Sequence, residues 1–185
     1  MEMRVLTRDE VEWLWAIDRR ETHHHVYRVR AGRLVRVPNY FEIPGWHPRT
    51  VETETPKLYK LFDRGAVFLG AFDGDTIVGM AVVDSTRVGS RRDQVQLSHL
   101  YVSDQSRGLG FGTRLFEAAL VVAREAEAKA LYVSATPTEA TVDFYLARGC
   151  ILAPEPDPRL YAAEPDDIHL ICPLGTATGA KETSS

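Results

Sequence analysis

Between Val95 and Ala126 the chain runs through an apolar, β-branched stretch, Val95-Gln-Leu-Ser-His-Leu-Tyr-Val102, a glycine-rich segment, Arg107-Gly-Leu-Gly-Phe-Gly112, and then Leu115, Ala119, Val122, Ala123 and Ala126. The first reads as a strand, and the last set recurs on one face of an amphipathic helix. Glycine lacks the Cβ that keeps a ligand off the main chain and tolerates positive φ, so successive N–H groups can converge on one point. At a helix N-terminus those groups and the helix dipole favour an anion. Strand, glycine loop and helix together predict a phosphate site with Thr113 at the start of the helix.

Spacing separates the loops that share this layout. A Walker loop ends in Gly-Lys-Ser/Thr, which is missing here. A dinucleotide fingerprint needs G-x-G-x-x-G and a carboxylate at the end of the next strand; here the glycines run G-x-G-x-G, and Ala130-Leu-Tyr-Val-Ser-Ala135 ends without an acid. A glycine-rich turn without a ligand would not require three glycines and their entropic cost.

Arg107-Gly-Leu-Gly-Phe-Gly112 after Leu100-Tyr-Val102 resembles the acetyl-CoA pyrophosphate loop of the GNAT superfamily of N-acetyltransferases, Arg/Gln-x-x-Gly-x-Gly/Ala. Two registers fit, Arg107 with Gly110 and Gly112 or Gln105 with Gly108 and Gly110. The first places the loop at the family's usual distance after Val102. Thr138-Glu-Ala-Thr-Val-Asp-Phe-Tyr-Leu-Ala-Arg-Gly-Cys150 resembles the family's later helix, N-x-x-A-x-x-F-Y followed by Gly-Phe: Phe144, Tyr145 and Gly149 match, whereas Thr138, Thr141 and Cys150 replace Asn, Ala and Phe. The resemblance extends to Ala66–Val83, where two apolar runs flank Asp-Gly-Asp as in a hairpin, and to a last strand at Ile168–Cys172.

The resemblance implies an α/β fold (an α+β mixed sheet): a central, mostly antiparallel sheet flanked by helices, with splayed strands forming the acetyl-CoA cleft. The expected organisation is a single domain over residues 1–174, with N-terminal helices and an irregular arm over 1–65, a cofactor-binding core over 66–174, and a disordered polar tail over 175–185. Acetyl-CoA would be held by Leu100, Val102, Arg107, Gly108, Leu109, Gly110, Phe111, Gly112, Thr113 and Thr138. A backbone N–H on the strand from Leu100 to Val102 would polarise the thioester.

Acetyl transfer to an amine also needs a proton for the departing thiolate and a neutral nucleophile. The resemblance assigns the acid to Tyr145, whose phenol, with an ordinary pKa near ~10, stays protonated at neutral pH. The family's base sits on the strand before the loop, on the face that here shows Gln96 and Ser98. Neither is a base, and both could hold a relaying water. Strict strand alternation turns His99 to the other face and reads it as structural. Glu42 and His47 are alternatives on the N-terminal arm.

The acceptor would be a primary amine of a small molecule or peptide. Glu155, Asp157, Glu164, Asp166 and Asp167 against Arg159 alone, in the loop before the last strand, favour a cationic one, with a solvated acidic loop as the plainer reading. Tyr40 and Trp46 fit either an acceptor pocket or the core. The rival from another class is an acyl-CoA-binding module without catalysis. The family resemblance adds a homodimer as one assembly.

A net charge of −4 argues against nucleic acid as a partner, and the basic run Arg87–Arg92 reads as a solvated loop. No apolar run approaches a membrane span and no signal-peptide core opens the chain, so a cytoplasmic protein without a membrane partner is expected. Cys150 and Cys172 read as buried free thiols. His23-His-His25 lacks ligand spacing, so no metal is expected and the histidines read as exposed. Thr7 with Glu10 forms a capping box opening a helix through Ile17. Prolines and glycines break up His23–Thr50 into an irregular arm with a short hairpin at most, and a helix spans Glu54–Arg64, stopping at Gly65.

Overall fold

The structure, a computed structural model, describes residues 1–175, and the expected polar tail from residue 176 on lies outside them. Nine strands and four α-helices appear among these residues. In chain order the strands are β1 Glu2–Val5, β2 Glu21–Arg30, β3 Arg33–Ile43, β4 Val67–Asp73, β5 Thr76–Val88, β6 Gln94–Val102, β7 Ala130–Ala135, β8 Ile151–Leu152 and β9 Ile168–Pro173. The helices are α1 Pro48–Asp63, α2 Phe111–Glu125, α3 Glu139–Leu146 and α4 Pro158–Ala163. No helix among them is long and apolar enough to cross a membrane.

Seven strands form one sheet in the order β1-β4-β5-β6-β7-β9-β8, antiparallel except for β6 beside β7. Gly74, at φ +57°, closes the β4–β5 hairpin at the expected Asp-Gly-Asp turn. Helices cover both faces. On one, Leu115, Phe116, Ala119 and Ala123 of α2 pack with Val142 and Tyr145 of α3 on Ala81, Val95, Leu97 and Leu131. On the other, Leu58 and Leu61 of α1 join Val11, Leu14 and Ile17 over Phe68, Met80 and Val82.

Strand β6 departs from regular pairing along both of its edges. It pairs with β7 only from Gln94 to Gln96, against Ala130 to Tyr132, and beyond that the strands part. The splay uncovers main-chain groups on the β7-facing edge of β6. Across the other edge, Val82 pairs with His99 and Val83 with Leu97, so Ser98 has no partner and forms a β-bulge. The extra residue shifts the alternation: Val95, Leu97, Leu100 and Val102 face α2 and α3, while Tyr101 packs in the opposite layer.

The N-terminal third departs from expectation in several places. Thr7 and Glu10 do form the capping box, but the segment Arg8–Ala16 is a 3-10 helix. The irregular arm is instead a hairpin of 10 and 11 residues, β2 and β3, forming a second sheet. Its partner explains why local signals missed it. The Tyr27 N–H donates to the Pro137 carbonyl at 2.7 Å, the Tyr27 hydroxyl to Asp143 at 2.8 Å, and Arg36 and His25 pair with Glu139. These contacts dock β2 and β3 on α3. Helix α1 starts earlier than expected, at Pro48, with the His47 ring accepting from the Arg49 N–H as its cap.

At the start of α3, Thr138 is the N-cap, its hydroxyl accepting from the Thr141 N–H, and Pro137 lies outside the helix. Cys150 and Cys172 are buried free thiols as expected. The histidine run is not uniformly exposed: His23 is buried and faces Glu21 at 2.9 Å, while His25 faces Glu139 at 3.1 Å.

Candidate active site

Gly108 and Gly110 adopt φ +76° and +89°, the left-handed region that a side chain disfavours, and Gly110 is the N-cap of α2. Among the described residues, no carbonyl or side chain is recorded as accepting from the N–H groups of Gly108 through Thr113. Such a run of free donors at the positive end of a helix suits a phosphate. Gly112 serves a different purpose. A Cβ there would stand 3.3 Å from the Phe144 ring and 3.6 Å from Val102, so its bareness lets α2 approach α3 closely.

These elements border a cavity of about 380 Å³ lined by Leu100, Val102, Arg107, Gly108, Gly110, Gly112, Thr113 and Tyr145, among others. Most of the expected cofactor residues are thus brought together. Three are not among its lining residues: Leu109 projects into solvent, Phe111 is buried in the core, and Thr138 is fully buried as the α3 cap.

Arg107 does not point free into the cavity. Its Nε donates to the Val102 carbonyl at 3.1 Å and Nη1 to the Arg20 carbonyl at 2.8 Å and Asp104 at 3.3 Å, while Nη2 pairs with Glu21 at 3.0 Å. It clasps the loop to the start of β2. The second cation of the cavity, Arg148, went unnoticed in the sequence. Its guanidinium lies 3.6 Å over the Phe144 ring and donates to the Thr113 hydroxyl, with Nε buried and unpartnered. Burial lowers its pKa from the usual arginine value.

A smaller cavity of about 90 Å³ adjoins the first, sharing Glu21, Leu100, Tyr101, Thr141 and Tyr145. Arg19, Ile43, Ser98, His99, Ser134 and Thr136 help to complete it. Tyr145 therefore stands where the two spaces meet. Its phenol has no recorded hydrogen-bond partner, and burial pushes its pKa above the ordinary tyrosine value, so it remains a proton donor throughout the working pH range.

The bulge corrects the reading of His99. Instead of turning away, His99 lines the small cavity beside Ser98, and its Nδ1 lies 3.0 Å from the Ser98 hydroxyl. Gln96 lines neither space, and neither do Glu42 and His47. Trp46 belongs to the core side, stacked edge-on against Trp15 and Tyr101, and Tyr40 is 61% exposed on β3.

The acidic loop is more ordered than a solvated strand connection. Asp157 caps α4 and accepts from the Gly89 N–H at 2.9 Å, and its own N–H donates to the Tyr132 hydroxyl at 3.0 Å. At the loop's far end, burial raises the pKa of Glu164, and burial with the charges of Glu164 and Asp166 raises that of Asp167 to about 6. Burial raises the pKa of the Tyr101 phenol of the small cavity, with the Arg19 charge opposing and the charges of Glu164, Glu21 and Asp167 adding to it.

A model of the acetyltransferase (GNAT) family matches residues 35–150. A comparison with curated proteins gave no match in sequence. Among solved structures, nourseothricin acetyltransferase is 22% identical with a TM-score of 0.68, the match covering 93% of this chain and 97% of that one. A streptothricin acetyltransferase assigned in Bacillus anthracis str. Ames, in complex with acetyl coenzyme A, is 15% identical with a TM-score of 0.70, over 94% and 98%. The PaiA N-acetyltransferase of Thermoplasma acidophilum, in complex with coenzyme A, is 15% identical with a TM-score of 0.59, over 94% and 100%. At these identities the likeness speaks to the fold.

Proposed function

The chain belongs to the GNAT family of acetyltransferases, which use acetyl-CoA, and from that premise we propose that it acetylates a primary amine on a cationic small molecule or peptide. The observation that carries this reading is the position of Tyr145, at the junction of a donor-lined cavity and a second, smaller space that Glu21, Ser98 and His99 help to line.

Acetyl-CoA supplies an acyl group activated as a thioester. The N–H groups from Gly108 through Thr113, with Arg148 beside Thr113, suit its phosphates. The uncovered edge of β6 beyond Gln96 suits its extended arm and offers main-chain donors to the thioester oxygen. Tyr145 keeps its proton until a thiolate requires one. Glu164 and Asp167 have no ion-pair partner among the described residues, and a cationic acceptor would supply the missing countercharge.

The test is release of CoA thiol across polyamines, amino sugars, N-terminal peptides, nourseothricin and streptothricin, with wild type and Tyr145→Phe side by side. Turnover with a cationic class is expected, cut ~10²–10⁴-fold in the variant while calorimetric acetyl-CoA affinity stays the same. Binding without turnover on any acceptor would support the non-catalytic module. Equal turnover by wild type and variant would remove Tyr145 from the mechanism.

A further inference from the structure

Gln96 and Ser98 are the polar residues that regular alternation on β6 turns toward the acceptor side, and neither can take up a proton at neutral pH. The bulge alters that inventory. Because Ser98 is the extra residue in the ladder, Ser98 and His99 border the same small cavity together with Tyr145.

The hydrogen bonds around Ser98 fix the imidazole's tautomer. The Ser98 oxygen lies 3.2 Å from the Val82 carbonyl oxygen and 3.0 Å from His99 Nδ1. A carbonyl can only accept, so two oxygens at that separation need a proton between them, and the hydroxyl has just one. Ser98 therefore donates to Val82, and Nδ1–H donates to Ser98. The ring's lone pair is left on Nε2, which has no recorded hydrogen bond and is not among the buried unpartnered atoms. Nε2 is thus an unpaired acceptor on a residue that lines the cavity.

On the amine-acetyltransferase reading, we infer that His99 is the catalytic base, taking the acceptor's proton at Nε2, and that Ser98 is a positioning residue that sets its tautomer. The amine nitrogen forms the bond to the acetyl carbon as the carbon–sulfur bond breaks. The amine's proton passes to Nε2, the Tyr145 hydroxyl proton passes to sulfur, and exchange with water restores both side chains, so one proton has moved from nitrogen to sulfur. Burial pushes His99 down to about 4, against the opposing charges of Glu54 and Asp84, so the ring is neutral at physiological pH and, as a weak base, takes the proton only as the new carbon–nitrogen bond makes that nitrogen acidic.

The experiment has one arm on the free protein and one on turnover. Two-bond proton–nitrogen NMR of the ligand-free protein should show His99 as the Nδ1–H tautomer, reverting in Ser98→Ala to the Nε2–H form. An Nε2–H ring in wild type would overturn the assignment. His99→Asn should lose ~10²-fold or more in kcat with acetyl-CoA affinity unchanged by calorimetry, and added imidazole should restore part of the rate. Ser98→Ala, which keeps the ring, should lose kcat less severely. Wild-type turnover matched by His99→Asn overturns the role of His99, whereas a wild type silent on every amine defeats the broader reading instead. If His99→Asn fails to fold, an unchanged kcat in Ser98→Ala despite a switched tautomer overturns the inference.

Discussion

Asp167→Asn should make the protein more stable at pH 8 and nearly unchanged at pH 4. In the folded chain Asp167 sits half-buried beside Glu164 and Asp166 with no ion-pair partner of its own among the described residues, and its pKa is raised from 3.8 to about 6. A raised folded pKa means the native state holds the proton more tightly than the unfolded chain. The associated stability is fully present below pH 3.8 and is lost as pH rises through about 6. A displacement of this size is worth at most ~3 kcal/mol, and solvent reaching the carboxylate reduces it to about 1 kcal/mol. For a domain of this length that corresponds to roughly 2–4 °C in Tm. Thermal melts of wild type and variant at the two pH values, read by circular dichroism, measure it. On the proposed reading, the same substitution should raise KM for a cationic acceptor, which would lose the countercharge that Asp167 offers it. A variant no more stable than wild type at pH 8, or stabilised equally at both, would refute the placement of an uncompensated charge.

The glycine loop supports two contrasting substitutions. Gly110→Ala places a side chain at φ +89° with open space around it, so it should cost about 1–2 kcal/mol in urea unfolding through backbone strain alone. Gly112→Ala meets Phe144 at 3.3 Å instead, and pushing that ring disturbs Arg148 and Tyr145, so acetyl-CoA affinity by calorimetry should fall. At the other end of the molecule, the Arg4 guanidinium and the Thr7 N–H hold Glu10 down to about 2. That stabilisation is present above pH 4.5 and lost as pH falls toward 2, so Glu10→Gln should lower the urea midpoint at pH 7 and close the gap to wild type near pH 2.

What the sequence disclosed and what it hid divide along one physical line. The glycine loop, the β4–β5 hairpin, α2 and the Phe144-Tyr145 helix are written in short-range terms, through glycines that free the backbone, a turn tripeptide and a 3.6-residue apolar period. All of them appear at or near their expected positions. The β2–β3 hairpin could not be read that way. Its stability depends on Pro137, Glu139 and Asp143, more than a hundred residues on, and Pro38 and the broken alternation mask its own strand signal. Arg148 and Glu21 became visible only when α3 and the start of β2 were brought to opposite sides of one cavity.

The most consequential difference between sequence and structure is smaller than any of these. Strand periodicity assigns faces by counting residues, and one uncounted residue reverses every assignment beyond it. Ser98 is that residue, and regular alternation counted through Gln-Leu-Ser-His-Leu passes over it. The signal that could have found it is the apolar pattern itself: Val95 and Leu97 are odd-numbered, Leu100 and Val102 even, and all four face the same helices. A reversal of parity inside a strand with one buried face requires an insertion between the two halves. Here that insertion brings an imidazole to the wall of the small cavity that Tyr145 also lines.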